Sequence, residues 1–112
     1  MSDVKLNKRL TLEAPVRNPD GAGGFETTWV VLGQLWANVK PGSGRERAVE
    51  TMTASVTRLT ITVRAAPVGS TMRPQPGQRM RAGTRVFKIL AVSEADVAAR
   101  YLRCLAEEEV AA

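Results

Sequence analysis

The side chains that perform most enzymatic chemistry are scarce in this chain. It has no histidine, so the usual general base near neutral pH and the commonest metal ligand are both missing. The single cysteine, Cys104, can build neither a Cys/His zinc site nor an internal disulfide within one chain, and its presence alone favours a reducing compartment. Flanked by Leu102 and Leu105, it reads as a small buried hydrophobe. Carboxylates are present, but no pair is framed by a motif that would set one as acid and the other as base. The expectation is a protein that is not an enzyme, with no catalytic residue, no metal and no cofactor.

Three other groups of residues invite a functional reading. Gly42, Ser43, Gly44 and Arg45 suggest a phosphate cradle, yet the Lys-Ser/Thr ending of a P-loop is absent. Trp29 and Trp36 could be platforms on which bases stack, but aromatic residues make up only 4% of the chain and no basic residues interleave with them along the sequence, so both are assigned to the core. Arg58, Arg64, Arg73, Arg79, Arg81 and Arg85 could form a stripe for nucleic acid, or could be solvated strand faces. Arginine outnumbers lysine 12 to 4, and arginine is the residue suited to bidentate pairing with carboxylates at interfaces.

Charge is unevenly distributed. Of a net +5, the segment from Thr51 to Ser93 carries seven basic residues and no acidic one, whereas 94–112 sums to −3 with Glu94, Asp96, Glu107, Glu108 and Glu109. A basic middle and an acidic end can bind a polyanion, or can bind copies of the same chain when opposite patches meet. Arg73, Arg79 and Arg81 on one side and Glu107, Glu108 and Glu109 on the other are the candidate contacts between subunits or with partners.

The elements that must position these residues are short and β-rich. At 112 residues and 44% hydrophobic the chain makes one domain with one modest core, 1–112, that should fold without staples. No stretch of 18 apolar residues occurs and the start lacks an apolar leader, so neither a membrane span nor a secretory signal is expected. Residues 8–14 alternate around Leu10 and Leu12, which predicts a half-buried strand. A Pro, Asn, Asp and Gly concentration predicts a mobile loop near 15–24. Residues 25–32 and 34–40 read as one bent strand or two short ones, with Gly33 at a bulge or kink. The alternation of Leu59, Ile61 and Val63 with Arg58, Thr60, Thr62 and Arg64 is the clearest strand. A short strand at 79–81 and a turn at Ala82–Gly83 precede 85–92, whose continuous apolar run with Val86 and Ile89 reads as a strand buried on both faces. Residues 93–96 read as a turn or helix cap, and 100–108, with Leu102 inward, as a final strand. The fold expected is all-β, a small single-domain β-barrel of about six strands with one long inserted loop at 41–55 that could hold a helical turn or two. The predicted core is Leu10, Leu12, Trp29, Trp36, Leu59, Ile61, Val63, Val86, Ile89 and Leu102. Loops of more than about 12 residues in compact domains are commonly functional, which singles out 41–55. Its Arg45, Glu46, Arg47 and Glu50 cancel in charge, so it would not hold DNA tightly.

Seven features in order carry a resemblance over about 6–109: a strand from Leu10, a Gly-rich turn, W-x6-W-A-x-V from Trp29 to Val39, Ser-Gly-Arg-Glu at 43–46, R-L-T-I-x-V-R at 58–64, R-x-G-T-R-V-F-x-I at 81–89 and R-Y-L-x-x-x-x-E-E at 100–108. Together they resemble the phage head-tail adaptor or head-tail joining proteins, also called head-closure or stopper proteins, of tailed phages and prophage-derived particles such as gene transfer agents. The resemblance implies a structural, non-catalytic barrel. Its copies would form a sixfold or twelvefold homo-oligomer ring, with a portal or adaptor ring above and a tail terminator or tail tube below. The particle would assemble in the bacterial cytoplasm and hold double-stranded DNA in the channel, with no membrane contact. It also implies that Gly42, Ser43, Gly44, Arg45, Glu46, Arg47 and Glu50 belong to a loop directed into that channel. The linker 72–81 departs from the family pattern in being longer and rich in Arg and Pro. The competing reading is a monomeric basic barrel of OB or SH3-like type that binds nucleic acid directly.

Overall fold

The computed structural model describes residues 5–42, 49–50 and 54–111. Seven antiparallel strands run in chain order: β1 Lys8–Pro19, β2 Phe25–Pro41, β3 Val49–Glu50, β4 Ala54–Arg64, β5 Arg79–Ala82, β6 Arg85–Glu94 and β7 Tyr101–Ala111. Six of them follow one another as β2-β1-β5-β6-β7-β4, and β4 pairs back onto β2 through Ala37–Pro41 and Leu59–Val63. The sheet therefore closes on itself, which removes the open edges over the part of β1 and β2 that pairs with β5 and β4. β3 adds two residues beside Ser55 and Val56 on the edge of β4.

Inward positions follow the two-residue period of each strand. Leu10 and Leu12 of β1, Ala37 of β2, Leu59, Ile61 and Val63 of β4, Met80 of β5, Phe87 and Ile89 of β6 and Leu102, Cys104 and Ala106 of β7 form one buried cluster. Each large aliphatic among them contributes about 1.5–3 kcal/mol over its exposed state.

Four expectations change, the last of them in the long loop. The loop expected at 15–24 is strand as far as Pro19, and the turn narrows to 20–24. Pro15 and Pro19 are accommodated because the pairing of β1 with β5 stops at Glu13, leaving an edge where no N–H is required. Asp20 fastens the turn, its Oδ1 accepting from the N–H groups of Ala22 and Gly24 at 2.8 and 3.0 Å, with Gly21 and Gly23 at φ of 82° and 86°. β6 is not buried on both faces, since Phe87 and Ile89 point inward while Lys88 and Ala91 face solvent, as closure of a single sheet requires. Trp36 does not belong to the core: it is 56% exposed, while Trp29 and Val86 are half-buried.

Residues 25–41 form one strand, and its irregularity lies where Leu12 pairs with Gly33 and Glu13 with Val31, so Leu32 is the extra residue. Gly33 also admits the linker, since a Cβ there would sit 2.6 Å from the Met72 sulfur. The linker is anchored further by the buried Pro74 and by Arg73, whose Nη1 donates to the Ala66 carbonyl at 2.9 Å. Of the expected long loop, Val49 and Glu50 are strand rather than helical turn, and the Gly42 N–H donates to the Arg58 carbonyl at 3.0 Å. Ser43, Gly44, Arg45, Glu46 and Arg47 lie outside the described residues.

Candidate functional site

The basic middle and acidic end of the chain meet within the chain itself. β7 lies between β4 and β6, so the pairs Arg58 with Glu107 and Lys88 with Glu107 are set directly across the ladder. The contact of Arg58 with Glu107 is long, 3.9 Å, and exposed. A closer pair joins Arg85 to Glu108 through two hydrogen bonds of 2.8 and 2.9 Å. The hydrogen bond from Arg85 holds the Glu108 carboxyl below its ordinary range against the opposing effect of burial, and the same contact raises Arg85.

Arg79 and Arg81 converge on a third carboxylate. Glu13 is 4% exposed and accepts from Arg79 Nε at 2.7 Å and from Arg81 Nε at 3.1 Å. Burial pushes this carboxyl upward, but the two guanidiniums outweigh it and its pKa lies below the ordinary value. Thus Arg79, Arg81 and Glu108, expected at contacts between subunits, are engaged within the chain, and Arg73 is tied to the linker. Glu107 and Glu109 remain outward, with Val86 and Lys88, around a groove of about 250 Å³.

Glu13 and Glu108 are held ionised, and burial pushes the Cys104 thiol up to about 12, away from nucleophilic reactivity. Among the described residues no three acidic or cysteine side chains gather as a metal site.

The surface that sequence reasoning missed lies along the outer face of β1 and β2. Basic and aromatic residues do interleave there, across strands rather than along the chain. Arg9 lies 6.0 Å from the centre of the Trp36 ring, Arg79 is 4.1 Å from Trp29, and Arg17 is 4.3 Å from Phe25. The odd-numbered positions of β1 share a face with the odd positions of β2 up to the bulge and the even ones beyond it. That change of phase concealed the pattern. Phe25 and Val31 are 59% and 56% exposed, and Val16 and Val30 of the opposite face are also open.

Comparison with known proteins gives two findings. The family model described as phage head completion protein matches residues 1–109. A solved chain from a structure entitled "Virion of native gene transfer agent (GTA) particle" is 53% identical, with a TM-score of 0.81, over 95% of this chain and 96% of that one. Among the curated proteins nothing matches.

Proposed function

The chain belongs to the phage head completion protein family, and from that membership we propose that it is a structural ring component of the head-tail connector of a phage-like particle. In this reading it sits below the portal or adaptor ring, closes the DNA channel after packaging and offers the surface on which the tail attaches. Its place is the virion, and it carries out no chemistry. The observation that carries the reading is the 53% identity, across nearly the full length of both chains, to a chain of a gene transfer agent virion.

The physical character of the barrel agrees with such a role. Closed pairing gives a rigid body, and the charges that would otherwise hold phosphates are partly neutralised by Glu13, Glu107 and Glu108. Weak attraction for DNA suits a passage through which DNA slides, because every phosphate contact adds salt-dependent holding energy. The segment 41–55 enters the channel in this proposal, between the anchors at Gly42 and at the β3–β4 pairing. The same neutralisation argues against a monomeric nucleic-acid-binding barrel.

Deletion of the gene in a strain that produces the particles tests the proposal. Electron microscopy should reveal heads without tails, and nuclease digestion should show that they have lost their DNA; plasmid-borne wild-type chain should restore both. Tailed, DNA-filled particles in normal number from the deletion strain would overturn it.

A further inference from the structure

We propose that the β1–β2 ribbon from Ala14 to Val30 is an arm by which one copy of this chain grips the next, its Arg17–Phe25 tip seating in the groove formed by Val86, Lys88, Glu107 and Glu109. The inference rests on the ring reading and adds the surfaces that would join its subunits.

Apart from Arg79, which lies 4.1 Å from the Trp29 ring at its base, the ribbon stands beyond the paired strands of its own barrel. β1 pairs with β5 only at Thr11–Glu13, and β2 pairs with β4 only from Ala37 onward. Beyond those points two strands continue together through Ala14–Val30 to Pro19–Phe25, with no third strand paired on either side among the described residues. A two-stranded ribbon is marginal in water on its own. This one nevertheless exposes apolar side chains on both faces, Phe25 on one and Val16 and Val30 on the other. Prolines 15 and 19 block one of its edges against indiscriminate strand pairing, so the faces and the tip are what it offers.

Charge selects the occupant. Arg17, stacked on Phe25 at the tip, has no ion pair among the described residues. The groove holds Lys88 and two carboxylates beside apolar Val86; Glu107 lies across from Lys88 and near Arg58, which leaves Glu109, exposed and without an ion pair among the described residues, as its uncompensated charge. A guanidinium carried on an aromatic ring fits a groove in which an uncompensated carboxylate, Glu109, stands beside the apolar Val86.

The tip cannot reach the groove of its own chain. Arg81 pairs with both Thr11 and Val86, and Arg79 with both Glu13 and Lys88, which sets the groove level with Thr11 to Glu13. The tip lies four residues beyond Glu13 at Arg17 and six at the level of Phe25, about 13 to 20 Å further along the strand in the opposite direction from the body of β1. The contact therefore joins different patches on two copies, the heterologous arrangement from which rings are built.

The test uses particles in which the full chain is replaced by the Phe25→Cys, Glu109→Cys variant. Cys104 is buried and does not interfere. Mild oxidation should give a ladder of disulfide-linked multimers of this chain, and neither single variant should give more than a dimer. As a second measure, Arg17→Glu should lower incorporation into particles at least tenfold and Glu109→Arg in the same chain should restore it. Should glutaraldehyde link the chain into multimers while the paired cysteines do not, the arm is wrong and the ring stands. If glutaraldehyde yields only monomer, the ring reading and the arm fail together. Disulfides formed solely with a different protein would overturn the assignment of a second copy as the occupant.

Discussion

Arg85 and Glu108 occupy inward-facing positions of adjacent strands and grip each other through two parallel hydrogen bonds, Nε to Oε2 at 2.8 Å and Nη2 to Oε1 at 2.9 Å. Glu108 continues the series Leu102, Cys104 and Ala106 along β7, and Arg85 precedes Phe87 and Ile89 on β6 with its guanidinium 5.0 Å from the Phe87 ring. The pair thus closes the core at the point where apolar residues give out. Bidentate geometry makes it stronger than an ordinary surface ion pair.

Glu108→Lys should for this reason destabilise the monomer, in contrast to Glu109→Lys. The first places two cations together where Glu108 is buried and Arg85 half-exposed, and the loss of the charged hydrogen bonds costs about 1.5 kcal/mol, the lower end for such bonds because solvent screens the guanidinium. The second alters an exposed side chain and should stay within about 0.5 kcal/mol. Urea unfolding of the two variants measures the contrast, and equal midpoints would show that the Arg85 contact contributes nothing.

Stability should fall in acid more steeply than exposed carboxylates alone would cause. Glu13 and Glu108 both have folded pKa values below the ordinary 4.5. A depressed carboxyl contributes stability that is fully present above its unfolded pKa and is lost as pH falls through the folded one. The melting temperature should therefore change little between about pH 5 and pH 8 from these groups and decline below about 4.5. Glu13→Gln and Glu108→Gln should each flatten the acid limb. A slope unchanged in both variants would assign acid sensitivity to other groups.

Periodicity exposed the barrel because closure makes every strand one-sided: Leu10, Leu12, Leu59, Ile61, Val63, Ile89 and Leu102 all lie inward as their alternation requires. The strand at 85–92 misled because Val86, Leu90 and Val92 are apolar yet only partly covered, so composition imitated two-sided burial. Glu13 could not be read at all. Its partners Arg79 and Arg81 are 66 and 68 residues away, and no local pattern marks a carboxylate that two distant guanidiniums will cover. The charge asymmetry was legible as a fact, but whether opposite patches meet within or between subunits depends on β7 inserting between β4 and β6. Trp36 was misplaced because its rarity suggested the core, while strand parity puts it outward beside Arg9.

Ile61→Ala and Trp36→Ala should separate core from surface. Ile61 is fully buried, and truncation there should cost about 2–5 kcal/mol through lost burial and a residual cavity. Trp36 is 56% exposed, and its removal should leave stability within about 0.5 kcal/mol. Paired denaturant curves with unchanged slopes are the measurement. A large loss at Trp36 would mean that its stacking with Arg9 carries more of the fold than its exposure implies.

Cys104 should report on unfolding. Its side chain is completely buried, and burial raises the thiol from an ordinary 9.0 to about 12. At pH 8 only about one folded chain in ten thousand would carry the reactive thiolate, against roughly one in ten for a thiol at its ordinary value. Alkylation by iodoacetamide should accordingly be slow in the native protein and rapid in denaturant. Ile61 sits directly opposite Cys104 on β4, so Ile61→Ala should accelerate labelling by raising the population of opened molecules. Rapid, complete labelling of the native protein at pH 8 would show that the β4–β7 ladder opens far more readily than its continuous pairing implies.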